Sequence, residues 1–272
     1  MNLRSLLFRI RLFVMDRYFR IRTWATHRRQ PSVAGSVGKL FLYYRISDAG
    51  YKKEKLPCMT KENCLANAVK RFPLSEVEWL VLADNVSAST YEMILKYVPA
   101  ERVRRVSVGH GAGTFRMVYE EALKQPDNSV AYFLEDDYLH RPYSLERLME
   151  AAQSGIADYI TLYDHPDKYA YDSPNPFVAN GSEQTRVFFT GNSHWKLTNS
   201  TTMTFAAQVG TLRRDKKYFW RWTTTRHPYD FYIFWELDTF AKRKLVSPIP
   251  SLSTHGDIDC LALGIDWNSE GS

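Results

Sequence analysis

Val130-Ala131-Tyr132-Phe133-Leu134-Glu135-Asp136-Asp137-Tyr138 is the stretch on which the reading of this chain turns. An apolar run stops abruptly in three consecutive acids, and Pro142 follows. The run has the length and composition of a buried strand. The acids then sit where that strand leaves its sheet, and in an open α/β sheet ligands collect at the carboxyl ends of the strands. Three carboxylates at such an edge repel one another and lose hydration. A compensating positive charge is expected, and a divalent cation with oxygen ligands is the natural one.

Working outward from this strand, apolar strands and amphipathic helices alternate at short spacing. Strands are predicted at Lys39–Ile46, Glu78–Ala83, Val103–Val108 and Ala157–Tyr163. Helices are predicted at Glu62–Arg71, Ser87–Tyr97, Thr114–Lys124 and Leu145–Gln153, with Gly109–Gly113 a turn. Such alternation argues for an α/β fold whose central sheet is mostly parallel with helices on both faces. The pattern changes after Pro166. Tyr169–Glu183 reads as a long loop, and Arg186–Thr190 and Thr201–Ala206 as short strands around Gly191–Trp195. Val209–Tyr218 and the aromatic Asp230–Lys242 read as helices, Leu245–Ile249 as an extended piece, and Ser251–Asp257 as a polar loop. The expected organisation is an arm at 1–30, a linker at 31–38, an α/β half at 39–166, a mixed half at 167–258 and a tail at 259–272.

Charge is unevenly spread. Residues 1–30 carry eight arginines against Asp16, whereas the remainder carries 28 basic and 29 acidic residues. The basic balance therefore belongs to the arm, which disfavours nucleic-acid binding, since that needs a basic stripe on the folded body. Leu3, Leu6, Leu7, Ile10, Phe13, Val14 and Ile21 form a rough helical stripe in the arm. Arginines interrupt it too often for a membrane span or a secretory signal. A basic amphipathic helix on an anionic membrane surface and a helix packed on the body or on a second subunit both fit. A cytoplasmic protein, peripheral to the membrane if the arm binds it, is the corresponding expectation. Cys58, Cys64 and Cys260 form no paired spacing, which points to a reducing compartment and away from structural zinc. The Walker A loop, the Rossmann glycine fingerprint and the Gly-x-Ser-x-Gly elbow are all absent, which disfavours kinases, simple dehydrogenases and α/β-hydrolases.

An α/β half, a strand ending in Glu135-Asp136-Asp137 and a more irregular second half together resemble a GT-A glycosyltransferase. Small bacterial or viral enzymes of surface-glycan synthesis, including the xylosyltransferases of algal viruses, are similar in size. The resemblance implies that the acidic motif, which departs from Asp-x-Asp at its first position, holds Mn²⁺ or Mg²⁺ against the diphosphate of a nucleotide sugar. Asp137 then matches the direct ligand, and Glu135 and Asp136 support it through ribose or metal-bound water. The resemblance places Arg45, Ser47 and Asp48 around the nucleotide base, and Asp84 and Asn85 at the base or ribose. It brings Arg116 toward the donor, with a surface arginine or a salt bridge to Glu120 on the same helical face as the alternative. His255 matches the histidine that completes the metal site, with a structural loop histidine as the alternative. Asp230 matches the general base, with a first-turn helix acid as its alternative, and Asp164 and Glu236 are the other candidates. Asn192, His194 and Trp195 form a polar-aromatic loop suited to an acceptor sugar, as Trp220 and Trp222 also are, while core packing accounts for the tryptophans equally.

The implied activity is inverting transfer from a nucleoside-diphosphate sugar, UDP-xylose or a UDP-hexose, to a glycan hydroxyl. A sugar nucleotidyltransferase expects a glycine-rich basic loop after the first strand, where this chain has Ser47-Asp48-Ala49-Gly50. A non-catalytic carbohydrate-binding or membrane-associated protein would be indifferent to neutralisation of Asp137. An inverting hydrolase needs carboxyls spaced across a sugar rather than adjacent in sequence.

Overall fold

The computed structural model of the chain describes residues 13–15, 17–18, 36–49 and 54–271. The strands are β1 (Leu40–Ser47), β2 (Glu78–Asp84), β3 (Val103–Val106), β4 (Val130–Glu135), β5 (Tyr138–His140), β6 (Tyr159–Ile160), β7 (Val178–Ala179), β8 (Ser182–Glu183), β9 (Val187–Phe189), β10 (His194–Leu197), β11 (Phe205–Gln208), β12 (Leu245–Ile249) and β13 (Ser253–His255). The helices are α1 (Lys61–Arg71), α2 (Ala88–Leu95), α3 (Gly111–Ala122), α4 (Ser144–Ser154), α5 (Val209–Arg221), α6 (Asp230–Ala241) and α7 (Trp267–Glu270).

Nine strands form one sheet in the order β3-β2-β1-β4-β11-β6-β12-β10-β9. Seven run the same way, and β11 and β10 are reversed. The α/β class and the mostly parallel sheet are as expected. Strands from both expected halves pair within it, since β6 lies between β11 and β12. The alternation of side chains along β4 shows why a fully apolar run was needed. Val130, Tyr132 and Leu134 enter a core on one face, and Ala131 and Phe133 enter a second core on the other. Leu42, Tyr44 and Ile46 of β1 join the first core and Tyr43 the second.

Three elements depart from the sequence reading. Helix α3 begins at Gly111 rather than Thr114, because His110 caps it by accepting the Gly113 N–H at Nδ1, 3.0 Å away. The stretch around Trp195 is strand β10, not a loop, paired with β12 and β9. Ser253–His255 is likewise no exposed polar loop: it is buried strand β13, paired with β5. Nearby chain meets some of its polar groups, with Ser251 Oγ donating to the Ser253 carbonyl at 2.7 Å and Ala262 N–H donating to Thr254 Oγ1 at 2.9 Å. The tail packs on the body through buried Trp267, whose Nε1 donates to the Ala262 carbonyl at 2.8 Å.

The expected membrane or partner role of the arm lies almost wholly outside the described residues, of which only the helical 13–15 and 17–18 fall within 1–30. Among the described residues no helix is long and apolar enough to cross a membrane.

Candidate active site

The carboxyl ends of β2, β1 and β4 lie side by side, with Ser47 in register with Asp84 and Arg45 with Glu135. They form one wall of a cavity of about 670 Å³. Arg45, Ser47, Asp48, Asp84, Glu135, Asp136, Asp137, Asp230 and His255 all line it.

The acidic edge is compensated in part by the chain itself. Arg45 is buried; its Nη2 donates to Glu135 Oε1 at 2.7 Å and its Nη1 to the Gly111 carbonyl at 3.1 Å. Asp136 Oδ2 accepts the Ser47 N–H at 3.1 Å. Lys55 Nζ lies 2.9 Å from Asp137 Oδ2. Burial, and next the charge of Asp137, push the Asp136 carboxyl up to about 7. Burial likewise raises Glu135 against the pull of Arg45. Solvent in the cavity tempers both shifts, since the Glu135 side chain keeps 28% of its surface exposed.

Strand β13 explains how a residue 118 positions later in the chain reaches this edge. Pairing of His255 with Tyr138 sets the imidazole beside Asp137, with Nε2 3.5 Å from Oδ2. The next residue must be small: a Cβ on Gly256 would stand 3.0 Å from the Asp137 carbonyl oxygen. Asp257 N–H donates to His255 Nδ1 at 3.1 Å, which assigns the proton of a neutral ring to Nε2, facing Asp137. Burial opposes charge on His255, but its bond to Cys260 and the charges of Asp137 and Glu135 raise its pKa.

An oxygen and a nitrogen 3.5 Å apart suit neighbouring ligands of one cation, given bonds of about 2.0–2.2 Å. The Lys55 ammonium on the same oxygen shows that the position attracts positive charge. The residues present therefore fit a divalent cation held by Asp137, with Asp136 beside it, and by His255 Nε2 once its proton moves to Nδ1 and the bond from the Asp257 N–H is released.

Asp230, which also lines the cavity, opens helix α6. Its Oδ2 accepts the N–H groups of Thr201 at 2.9 Å and Thr202 at 2.8 Å. Among the described residues its Oδ1 takes no hydrogen bond. The other two carboxylates expected as candidates are committed elsewhere. Asp164 is buried, ion-paired with Lys196 at 2.8 Å and bonded by the Tyr169 hydroxyl at 2.5 Å. Glu236 is buried, and both its oxygens lie 2.9 Å from Arg221 Nη1.

Two cavity acids hold loops in place. Asp48 accepts from Lys61 Nζ and Ser87 N–H, each at 2.8 Å, and from Thr90 Oγ1 at 3.0 Å. Burial opposes its ionisation, yet these donors hold it well below the usual carboxylate range. Asp84 is buried and accepts the N–H groups of Val108 at 2.6 Å and Gly109 at 2.9 Å. Gly109 has φ +77°, a conformation that suits glycine, and it brings the 108–111 turn onto the cavity.

The structure separates five other expected residues from the cavity lining. Asn85 bonds Asp84 at 3.0 Å and Ser107 at 2.6 Å. Arg116 forms no salt bridge to Glu120: its Nε donates to Thr223 Oγ1 and its Nη2 to the Trp220 carbonyl, both at 2.8 Å. Asn192 bonds Glu150 through its backbone N–H and its side-chain amide, each at 3.1 Å. His194 is exposed against Phe189, and Trp195 is fully buried, its Nε1 donating to Thr190 Oγ1 at 3.0 Å. The last three lie on or beside β10, four strands from β4, or about 19 Å at ordinary strand spacing. Conversely, sequence reasoning missed Lys55, Lys61, Thr202, Met203, Arg226 and His227, which line the cavity.

No family profile matches this chain, and no curated protein matches it by sequence. Solved structures resemble it distantly. A galactosyltransferase, LgtC, in complex with donor and acceptor sugar analogues, matches at 12% identity and TM-score 0.44, over 76% of this chain and 72% of its own. Residues 1–349 of TarS from S. aureus match at 12% identity and TM-score 0.46, over 77% of this chain and 58% of that one. Likeness this distant says nothing of activity, which is read from the residues of the site itself.

Proposed function

We propose that this chain transfers a sugar from a nucleoside-diphosphate donor, UDP-xylose or a UDP-hexose, to a hydroxyl of a glycan acceptor with inversion. One observation carries the reading: a cation-compatible acidic edge and a carboxylate with an uncommitted oxygen line one cavity. A divalent ion, Mn²⁺ or Mg²⁺, held by Asp137 and His255 would supply charge neutralisation at the departing diphosphate. Lys61 and Arg226 add positive charge on the cavity wall. Ser47, Asp48 and Asp84 shape the donor side, and Arg45 fixes Glu135.

Asp230 Oδ1 takes the acceptor hydroxyl proton as the oxygen attacks the anomeric carbon. The carbon–oxygen bond to the diphosphate breaks with its electron pair leaving on the nucleotide. With Oδ2 anchored on two backbone N–H groups, the base is held in place before the acceptor arrives.

The test is a screen of nucleotide sugars with Mn²⁺ or Mg²⁺, scored by product mass and nucleotide release, on the parent chain, Asp137→Asn and Asp230→Asn. Release of a nucleoside diphosphate with a glycosylated product is expected. Pyrophosphate release would instead identify a nucleotidyltransferase. Turnover independent of added cation and untouched by Asp137→Asn would sink the metal site.

A further inference from the structure

Behind the acidic edge, the chain leaving β13 makes a tight turn that ends in the 3₁₀ turn Ile258–Cys260. Asp257 caps that turn, its Oδ1 accepting the Asp259 N–H at 3.3 Å and its carbonyl the Cys260 N–H at 2.8 Å. The turn gathers one ligating atom each from His255, Asp257 and Cys260 within 4.8 Å of one another. These are a nitrogen, a carboxylate oxygen and a sulfur. His255 is buried and the other two are half-buried. The ring of His165 hydrogen-bonds the Cys260 side chain from outside the trio.

We propose that His255, Asp257 and Cys260 form a second cation site, selective for a thiophilic divalent ion such as Zn²⁺, which shares His255 with the acidic edge. The donor set argues for the ion class. Cysteine sulfur, imidazole nitrogen and carboxylate oxygen are the ordinary ligands of Zn²⁺. Mg²⁺ and Mn²⁺ favour carboxylate, carbonyl and water oxygens, and sulfur discriminates against them. Three protein ligands leave one tetrahedral position open. His165 is placed as the outer partner that orients a metal-bound sulfur. No paired-cysteine spacing announces such a site, because two of its ligands come from one turn and the third from the strand before it.

Sharing His255 has a consequence that rests on the proposed transferase activity, whereas the binding itself does not. Zn²⁺ bound at the turn draws the imidazole from Asp137, so Zn²⁺ inhibits sugar transfer.

Co²⁺ titration of the reduced full-length chain, followed by absorption spectroscopy, tests the site directly. One equivalent should produce a sulfur-to-cobalt charge-transfer band. Stoichiometric Zn²⁺ should remove it, and excess Mg²⁺ should not. The band should vanish in Cys260→Ser and in Cys260→Ala, and should persist in Cys58→Ser and Asp137→Asn. Absence of the band from the parent chain overturns the proposal, as does its survival in the Cys260 variants. Where transfer is measurable, Cys260→Ser should need at least tenfold more Zn²⁺ for half-inhibition. Equal sensitivity would refute the sharing of His255. Failure of the transferase reading leaves the cobalt band in place, so the two failures are distinguishable.

Discussion

Replacing Asp230 by Asn is the sharpest perturbation of the proposed chemistry, because the structure separates its effect on folding from its effect on catalysis. Oδ2 holds the Thr201 and Thr202 N–H groups at 2.9 and 2.8 Å. An amide oxygen in the same place keeps both bonds but loses the charge that strengthens them. Charge-assisted bonds are about twice as strong as neutral ones, and neutral ones contribute about 1 kcal/mol each. The stability cost is therefore on the order of 2 kcal/mol. The amide nitrogen then faces the cavity, where it cannot accept a proton. Loss of a positioned general base lowers the rate about 10²–10⁴-fold, equivalent to about 2.7–5.4 kcal/mol in the barrier. Turnover should be measured by product mass at saturating donor, donor binding by calorimetry, and folding by urea denaturation. The expected result is a folded variant that binds donor with nearly parental affinity and transfers at least about 100-fold more slowly. A folded variant with parental turnover removes Asp230 from the mechanism.

Asp137→Asn should weaken Mn²⁺ binding at least about 100-fold, beyond the usual effect of losing a metal ligand's outer partner, as read by calorimetry or by the Mn²⁺ paramagnetic resonance signal. Cation affinity of the parent should fall on acidification from about pH 8 to about pH 6, because protons on Asp136, pushed up to about 7, and on His255, also raised, occupy the groups the cation faces; a Kd constant over that range would contradict the site. His140 provides a stability test away from the cavity. Burial, and then the charge of Arg71, depress it to about 3 from 6.5, so the folded state excludes a proton that the unfolded chain accepts. Its contribution is complete above pH 6.5 and is lost as pH falls toward 3. At about pH 5 the loss is about 2 kcal/mol, and urea unfolding of His140→Asn should show a correspondingly flatter dependence between about pH 7 and 5.

The parallel half of the sheet was legible because local pattern and tertiary role agree there. The β4 run is apolar throughout since both its faces meet a core, and its acids follow at once because the strand ends at the cavity. The later elements obey tertiary pairing instead. Ser253-Thr254-His255 has the composition of a loop and becomes a buried strand because β5 supplies its backbone partners and Ala262 N–H engages the Thr254 hydroxyl. Trp195 has the composition of a sugar platform and is a core residue, because β10 turns that side chain inward. Asp230 and His255 were reached through the resemblance, whereas Lys55 and the Thr201–Met203 wall depend on chain approaches that no local pattern encodes.

That wall bears on why Asp230 is placed as it is. Thr202 and Met203 have φ of 49° and 59°, in the left-handed region that non-glycine residues seldom occupy. Such residues cost about 1–3 kcal/mol each and persist only where their surroundings hold them. Two supports do so. Asp230 takes the N–H groups of Thr201 and Thr202. Buried Lys168 grips the preceding residues, its Nζ lying 2.6 Å from Asn199 Oδ1 and 3.1 Å from Ser200 Oγ. The carboxylate that stabilises the wall is thus fixed by it in return. Under the proposed chemistry, a floating carboxylate would have to be ordered each time an acceptor bound. Here that ordering is completed on folding, with one oxygen spent on the backbone of Thr201 and Thr202 at the cavity wall.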